Sequence, residues 1–340
     1  MSTSRQKGSL PAKFIIKLGK FFWTTMWHLM MSKLAPRSQS GEYVRPESEF
    51  RGWVGKAPYQ PAANRYRLYV GLGCPWAHRT LVVRALKGLE DAVAVSIVSP
   101  SPDEGIWVFE QEEDGCQTLP ELYQKAQPGY SGRSTVPVLW DRQTKSIVNN
   151  ESADIIVMLN SQFKEFATNP ERDLYPPEIR AEIDSWNEKI YHAVNNGVYR
   201  CGFAQSQEAY EQACNELFTV LDEINDALAT RRYLCGNTVT LADVRLFTTL
   251  FRFDTVYYGL FKCNRRRIKD YEHLGAYLQD LYQLPGVADT CDLESVKRDY
   301  YGNLFPLNPG GIIPLGPDIT NLLEPHGREE VGAQPSQSYS

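Results

Sequence analysis

Cys74 stands where the chain changes period. Before it, Arg65-Tyr66-Arg67-Leu68-Tyr69-Val70-Gly71-Leu72 is a short β-rich run closed by Gly73; after it, Pro75-Trp76-Ala77 opens a helical pattern that continues to Leu89. A cysteine in the first turn of a helix faces unpaired N–H groups and the positive end of the helix dipole, and both stabilise an anion. The arrangement therefore predicts a lowered thiol pKa, since such thiols fall from about 8.5 to between roughly 3.5 and 7.5. Pro75 suits the first helical position, where the missing N–H would be unpaired in any case. A lone cysteine is more commonly a buried, inert core residue. The coincidence of strand, Cys, Pro and helix argues against that reading here.

A redox dithiol of the Cys-x-x-Cys type would need a second cysteine at position 77, and Ala77 occupies it. An oxidised or thiolated Cys74 must then be resolved by an external thiol, for which glutathione is the abundant candidate. Two further motifs fit a thiol peptide. In Val136-Pro137-Val138 a proline approaches a strand, which is disfavoured outside edges and special turns; a cis proline opposite an active cysteine is one such turn, and its preceding backbone can pair with a peptide. Glu151-Ser152 opens a helix directly after the last strand. There a hydroxyl, free N–H groups and a carboxylate can hold the α-carboxylate and amine of a γ-glutamyl group. Alone, Glu-Ser is an ordinary helix cap; its place after the other two motifs gives it meaning. Trp76 and His78 flank the nucleophile, and His78 is as well suited to a solvated helix face as to the role of a base.

The elements that must position these residues fall into two halves. Ala92 to Val98 is a second apolar strand, and Val136 to Trp140 and Ile147-Val148 are two more, joined by a polar turn. Between them, residues 100–134 read as a long polar insertion. From Glu151 the period becomes helical, with Ile155, Ile156, Leu159 and Phe163 on one face, so the strand-rich half ends near residue 163. Beyond residue 170 helices are expected over 179–194, 207–228, 241–257 and 274–282, a helix bundle. Thr240-Leu241-Ala242-Asp243 is a capping box with a structural role. Residues 35–65 are an irregular, Gly- and Pro-rich lead-in. The domain plan is thus a basic and apolar extension (1–40), a first domain (41–165), a helical domain (170–317) and a tail (318–340) expected to be disordered.

The chain has 340 residues, enough for two packed domains, and a net charge of −5, which gives no basic face for a nucleic acid. Its seven cysteines are odd in number and scattered, neither a disulfide framework nor a metal site, so no metal is expected and a reducing, cytoplasmic setting fits. The sequon at Asn150 is read as chance. Phe14 to Leu34 is apolar and aromatic but interrupted by Lys17, Lys20 and His28, so it reads as an amphipathic helix docked on the protein or on a membrane surface rather than a span. A basic, acid-free start up to Glu42 leaves a transit peptide as a minority reading.

Taken together, Cys74-Pro-Trp-Ala-His-Arg-Thr, Thr135-Val-Pro-Val-Leu-Trp-Asp, Val148-Asn-Asn-Glu-Ser, Asn195-Asn-Gly-Val-Tyr, Arg245-Leu-Phe-Thr-Thr-Leu and Phe261-Lys-Cys-Asn resemble the glutathionyl-hydroquinone reductases, the Xi class of glutathione transferases, over roughly residues 41–317. The resemblance implies an α/β plus all-α fold, with a thioredoxin-like N-terminal domain and a large helical C-terminal glutathione transferase domain, assembled as a homodimer. It implies that a Cys74 thiolate takes the glutathionyl group from a hydroquinone and that a second glutathione, the co-substrate, releases glutathione disulfide. It implies tyrosine acids near the ring oxygens at Tyr199 and Tyr300, the latter chosen over Tyr301 by spacing alone. For glutathione it points to Trp107, Arg133, Val136, Glu151 and Ser152. Cys201, behind Tyr199, departs from the family pattern and raises a slow disulfide with Cys74. The rival readings are an omega-like thioltransferase or dehydroascorbate reductase using the same cysteine, and a binding protein that keeps the fold without turnover.

Overall fold

The computed structural model describes residues 11–101 and 105–332; residues 1–10 of the expected extension and 333–340 of the expected tail lie outside the described residues. Six strands pair in the order β4-β3-β2-β1-β5-β6. At the centre, β1 (Tyr66–Val70) runs parallel to β2 (Val93–Pro100) and antiparallel to β5 (Val138–Asp141), with Leu68 between Val95 and Leu139; β6 (Ser146–Asn149) follows β5. Leu68, Tyr69, Val70, Val138, Leu139 and Trp140 are all buried, so the central strands are near-continuous apolar runs, as a sheet covered on both faces requires.

The described part of the region read as a polar insertion is built into the sheet. It holds β3 (Trp107–Glu113), β4 (Cys116–Thr118) and α3 (Leu119–Ala126), which extend the sheet beyond β2. The two hairpin strands turn through Asp114-Gly115, both at positive φ (50° and 76°), with Glu113 opposite Cys116. Asp-Gly between paired residues is the turn a two-residue hairpin demands. The carboxylate of Glu121 then accepts the N–H of Thr118 in a capping box that starts α3.

On one side of the sheet α2 (Pro75–Lys87) packs with α4 (Ser152–Ser161), and α2 also packs on α8 (Leu241–Arg252), which joins the two halves. The second half adds α5 (Arg180–Ile190), α6 (Gly197–Gly202), α7 (Gln207–Leu228), α9 (Leu274–Tyr282) and α10 (Leu293–Lys297). Single π-helical turns continue α5, α8 and α10, at Tyr191–Asn195, Phe253–Tyr257 and Arg298–Gly302. Such turns widen a helix locally and are frequent at functional sites. Asp243 accepts hydrogen bonds from the N–H and hydroxyl of Thr240 and from the hydroxyl of Tyr277, which gives the α8 cap its structural role.

The tail differs from the expectation of disorder after residue 318. Thr320–Leu323 is a 3-10 turn, Leu322 is buried, and buried Arg328 donates to the carbonyls of Leu228, Arg231 and Arg232 at the end of α7. One arginine thus satisfies carbonyls that the helix end leaves free. At the other end, α1 (Ala12–Leu34) is a long helix anchored by its last turn, with Met31 and Ala35 buried and residues up to Met26 exposed. Among the described residues no helix is long and apolar enough to cross a membrane.

Candidate active site

Cys74 is the N-cap residue of α2 in extended conformation, with Pro75 at the first helical position. Its Sγ lies 3.7 Å from the carbonyl oxygen of Val136, the residue joined to Pro137 by a cis peptide bond. Two cavities meet there. The smaller, about 190 Å³, is lined by Arg133, Val136, Glu151 and Ser152; the larger, about 560 Å³, is lined by Cys74, Trp107, Tyr199 and Tyr300, and Arg45, Trp76, Arg133 and Val136 border both.

In the smaller cavity Glu151 caps α4, accepting from the N–H of Ala153 (3.0 Å) and the hydroxyl of Ser48 (3.0 Å). Buried Ser152 is held by Arg79, whose guanidinium also donates to Asn195 Oδ1 (2.6 Å), so the helix that presents Cys74 also braces this groove. Arg45 and Arg79 both lie against the Trp76 ring, at 4.0 and 4.4 Å from its centroid. Arg45 and exposed Arg133 line the groove together with Glu47, Glu49 and Glu151, so it offers cations to carboxylates and carboxylates to an amine, a fit for a peptide that carries both.

The larger cavity is aromatic. The hydroxyls of Tyr199 and Tyr300 are 2.6 Å apart, and buried Tyr257 extends the chain with its hydroxyl 3.0 Å from that of Tyr300. Burial pushes Tyr199 and Tyr300 well above the usual tyrosine range and Tyr257 up to about 12, so all three keep their protons at neutral pH. Tyr301 turns elsewhere, donating to the carbonyl of Thr255. Trp76 stacks on Tyr199 at 6.3 Å between centroids, which ties the aromatic wall to the nucleophile's helix.

The catalytic turn is clamped from the helical half. Arg252, at the end of α8, donates to the carbonyls of Leu72 (2.8 Å) and Gly73 (2.9 Å), while Asp299 accepts the N–H of Gly73 (3.0 Å). A Cβ on Gly73 would sit 2.3 Å from the Asp299 carboxylate, so this position requires glycine. Burial raises the Asp299 carboxyl to about 6, against the opposing pull of that N–H and of Arg298 and Arg252. The same Arg252 donates to His78 Nδ1 (2.9 Å), and His78 Nε2 meets Thr290 Oγ1 (2.9 Å). Burial first, then Arg252, holds His78 well below its usual range. His78 is therefore a buried neutral strut, neither the solvated residue nor the base considered from sequence.

The thiol itself departs from expectation. The N–H groups of Ala77 and Trp76 and the guanidiniums of Arg45 and Arg252 favour the thiolate, but burial outweighs them and pushes Cys74 up. Cys201 is buried beside Cys214 and Cys263, so its thiol neighbours are those and not Cys74. Arg45, Arg79, Arg252, Tyr257 and Asp299 were not singled out from sequence. Arg79 stands on the nucleophile's own helix, where its sequence position does not reveal its contact with Ser152; the others come from other segments of the chain, and for Asp299 the only local hint is its place beside Tyr300.

A cysteine at the head of α2, the cis proline opposite it, a carboxylate-capped α4 and a helical second domain define a glutathione transferase. Residues 73–162 match the family model described as glutathione S-transferase, N-terminal domain, and residues 207–280 the one described as glutathione S-transferase, C-terminal domain. The chain is 45% identical over 302 residues to glutathionyl-hydroquinone reductase PcpF of Sphingobium chlorophenolicum, covering 87% of this chain and 94% of that protein. It is 44% identical over 310 residues to glutathionyl-hydroquinone reductase YqjG of Escherichia coli, covering 86% and 94%, and the glutathione-bound structure of that protein aligns with a TM-score of 0.78 at 45% identity over 82% of this chain and 96% of the other. The glutathione transferase Xi of Phanerochaete chrysosporium aligns with a TM-score of 0.81 at 42% identity, covering 85% of this chain and 96% of that one. The protein belongs to the Xi class of glutathione transferases, the glutathionyl-hydroquinone reductase family.

Proposed function

We propose that the protein uses glutathione to reduce glutathionyl-hydroquinones to hydroquinones, with Cys74 as nucleophile. The observation that carries this reading is the meeting of the two cavities at Trp76 and Val136, beside Cys74, with a groove of arginines and glutamates on one side and the Tyr199–Tyr300 hydroxyl pair on the other. Glutathione lies along the groove, its γ-glutamyl end at Glu151 and Ser152, its cysteinyl part at Val136, and its glycyl carboxylate at Arg133, with Trp107 at the side. The substrate's ring lies in the larger cavity.

Direct expulsion of an aromatic carbon from sulfur is difficult, so the ring reacts in its keto form. The Cys74 thiolate forms a disulfide bond with the glutathionyl sulfur as the carbon–sulfur bond breaks. The bonding electrons pass into the ring as an enolate, and Tyr199 and Tyr300 supply hydrogen bonds and a proton to its oxygen. A second glutathione thiolate then attacks the mixed disulfide, releasing glutathione disulfide and the Cys74 thiolate. One glutathionyl-hydroquinone and one glutathione thus give one hydroquinone and one glutathione disulfide. The seven free thiols support a reducing, cytoplasmic setting, and the homodimer rests on family membership.

The test is glutathione-dependent release of hydroquinone from a synthetic glutathionyl-hydroquinone. Turnover lost in Cys74→Ala and slowed in Tyr199→Phe supports the reading. Turnover only of hydroxyethyl disulfide or dehydroascorbate replaces it with an omega-like thiol transfer, and silence on all of them leaves a binding protein.

A further inference from the structure

α1 carries an apolar face that the rest of the fold leaves bare. Phe14, Ile15, Leu18, Phe22, Met26 and Leu29 are each about half exposed. At about 100° per residue they spread over a broad arc, while Lys13, Lys17, Lys20, Thr24 and His28 fall on the narrow stripe that remains. No acidic residue precedes Glu42, so the sequence supplies this stripe with no nearby counter-charge. Among the described residues the helix is held at its C-terminal end, through buried Met31 and Ala35 and a hydrogen bond from Gln205 to the Ala35 carbonyl (3.3 Å).

A bare helix of this length is marginal in water, and a contiguous apolar surface of this size on a folded protein marks a contact. The occupant is chosen by charge. A second copy of α1 would cover the apolar arc but add four more lysines and no acid. A bilayer with anionic headgroups satisfies both features, taking aromatic and aliphatic side chains into the acyl boundary and the lysines at the phosphates. We propose that α1 lies in the surface of an anionic lipid bilayer, with Phe14, Leu18 and Phe22 in the acyl boundary and Lys13, Lys17 and Lys20 at the headgroups. This docking is independent of the reaction proposed above. Leu34, the last residue of α1, nevertheless lines the larger cavity, so the lipid-facing helix ends at the site itself.

The test is co-flotation of the full chain with vesicles of phosphatidylglycerol and phosphatidylcholine, beside vesicles of phosphatidylcholine alone. Binding to the anionic vesicles, reversed by high salt, is expected. At about fivefold per lysine, Lys13→Gln/Lys17→Gln/Lys20→Gln should weaken it about a hundredfold. Phe14→Ser/Phe22→Ser should abolish it, and both variants should retain wild-type circular dichroism and turnover of a soluble substrate. Failure to float with anionic vesicles, or equal binding by the triple variant, overturns the proposal. Self-association in analytical ultracentrifugation that Phe14→Ser/Phe22→Ser dissolves, with vesicles ignored, would also overturn it and assign the face to a second copy.

Discussion

The groove side of the site takes Val136, Glu151 and Ser152 from turns at the ends of one sheet, and the segments that carry them also set their direction. The aromatic side takes Tyr199, Tyr257 and Tyr300 from three separate helical segments, and only packing and a chain of hydroxyls bring them together. One wall is polar and carries both arginines and carboxylates; the other is mainly aromatic, and its tyrosine hydroxyls meet one another. The contrast suggests a division of labour, with the first wall holding a charged peptide and the second acting on charge that appears only during reaction.

The largest expected effect tests what the two walls share. Cys74→Ala should lower kcat on the order of 10⁴-fold or more without loss of fold, measured as hydroquinone release. Next, Tyr199→Phe or Tyr300→Phe should lower kcat by about 10²- to 10³-fold and leave the KM for glutathione near wild type. Glu151→Gln should do the reverse, raising the KM for glutathione by about tenfold or more through loss of a charge-assisted bond, with kcat little changed. If Tyr199→Phe moved only KM, or Glu151→Gln only kcat, the division of labour would fail.

The smaller effects are in pH. Because burial raises the Cys74 thiol, its thiolate is scarce at pH 7, and kcat/KM should climb about tenfold per pH unit from neutrality toward the thiol's own range. Asp299, at about 6 in the fold and about 3.9 unfolded, binds its proton more tightly when folded. Its contribution to stability is therefore present below about pH 4 and lost as pH rises through 6, by at most about 2–3 kcal/mol. Asp299→Asn keeps an acceptor for the Gly73 N–H without the titration, so its stability relative to wild type should grow between pH 4 and pH 7, read from urea midpoints.

Legibility in the sequence followed the same divide. Cys74-Pro75, Val136-Pro137 and Glu151-Ser152 could be read because a turn and the element it starts are encoded side by side. The longer helices of the second half were legible from their period, though not the short α6 that carries Tyr199, nor α10, nor the π-turns that aim Tyr257 and Tyr300, which no spacing announces. The Asp114-Gly115 hairpin carried a plain turn signal that the polarity of its surroundings obscured. The downward pull expected for Cys74 was physically real, but the burial that outweighs it comes from residues that meet the thiol only in the fold. The order of the tail depends on Arg328 finding carbonyls about a hundred positions earlier, which composition does not reveal.

The clamp on Leu72 and Gly73 also bears on ancestry. The nucleophile's turn takes its carbonyl donors and its amide acceptor from the other half of the chain, so neither half owns a finished active centre. A recombination event that exchanged the helical half for a relative's would have to bring an arginine and a carboxylate in register with the same glycine. The two halves are therefore expected to be inherited as a pair.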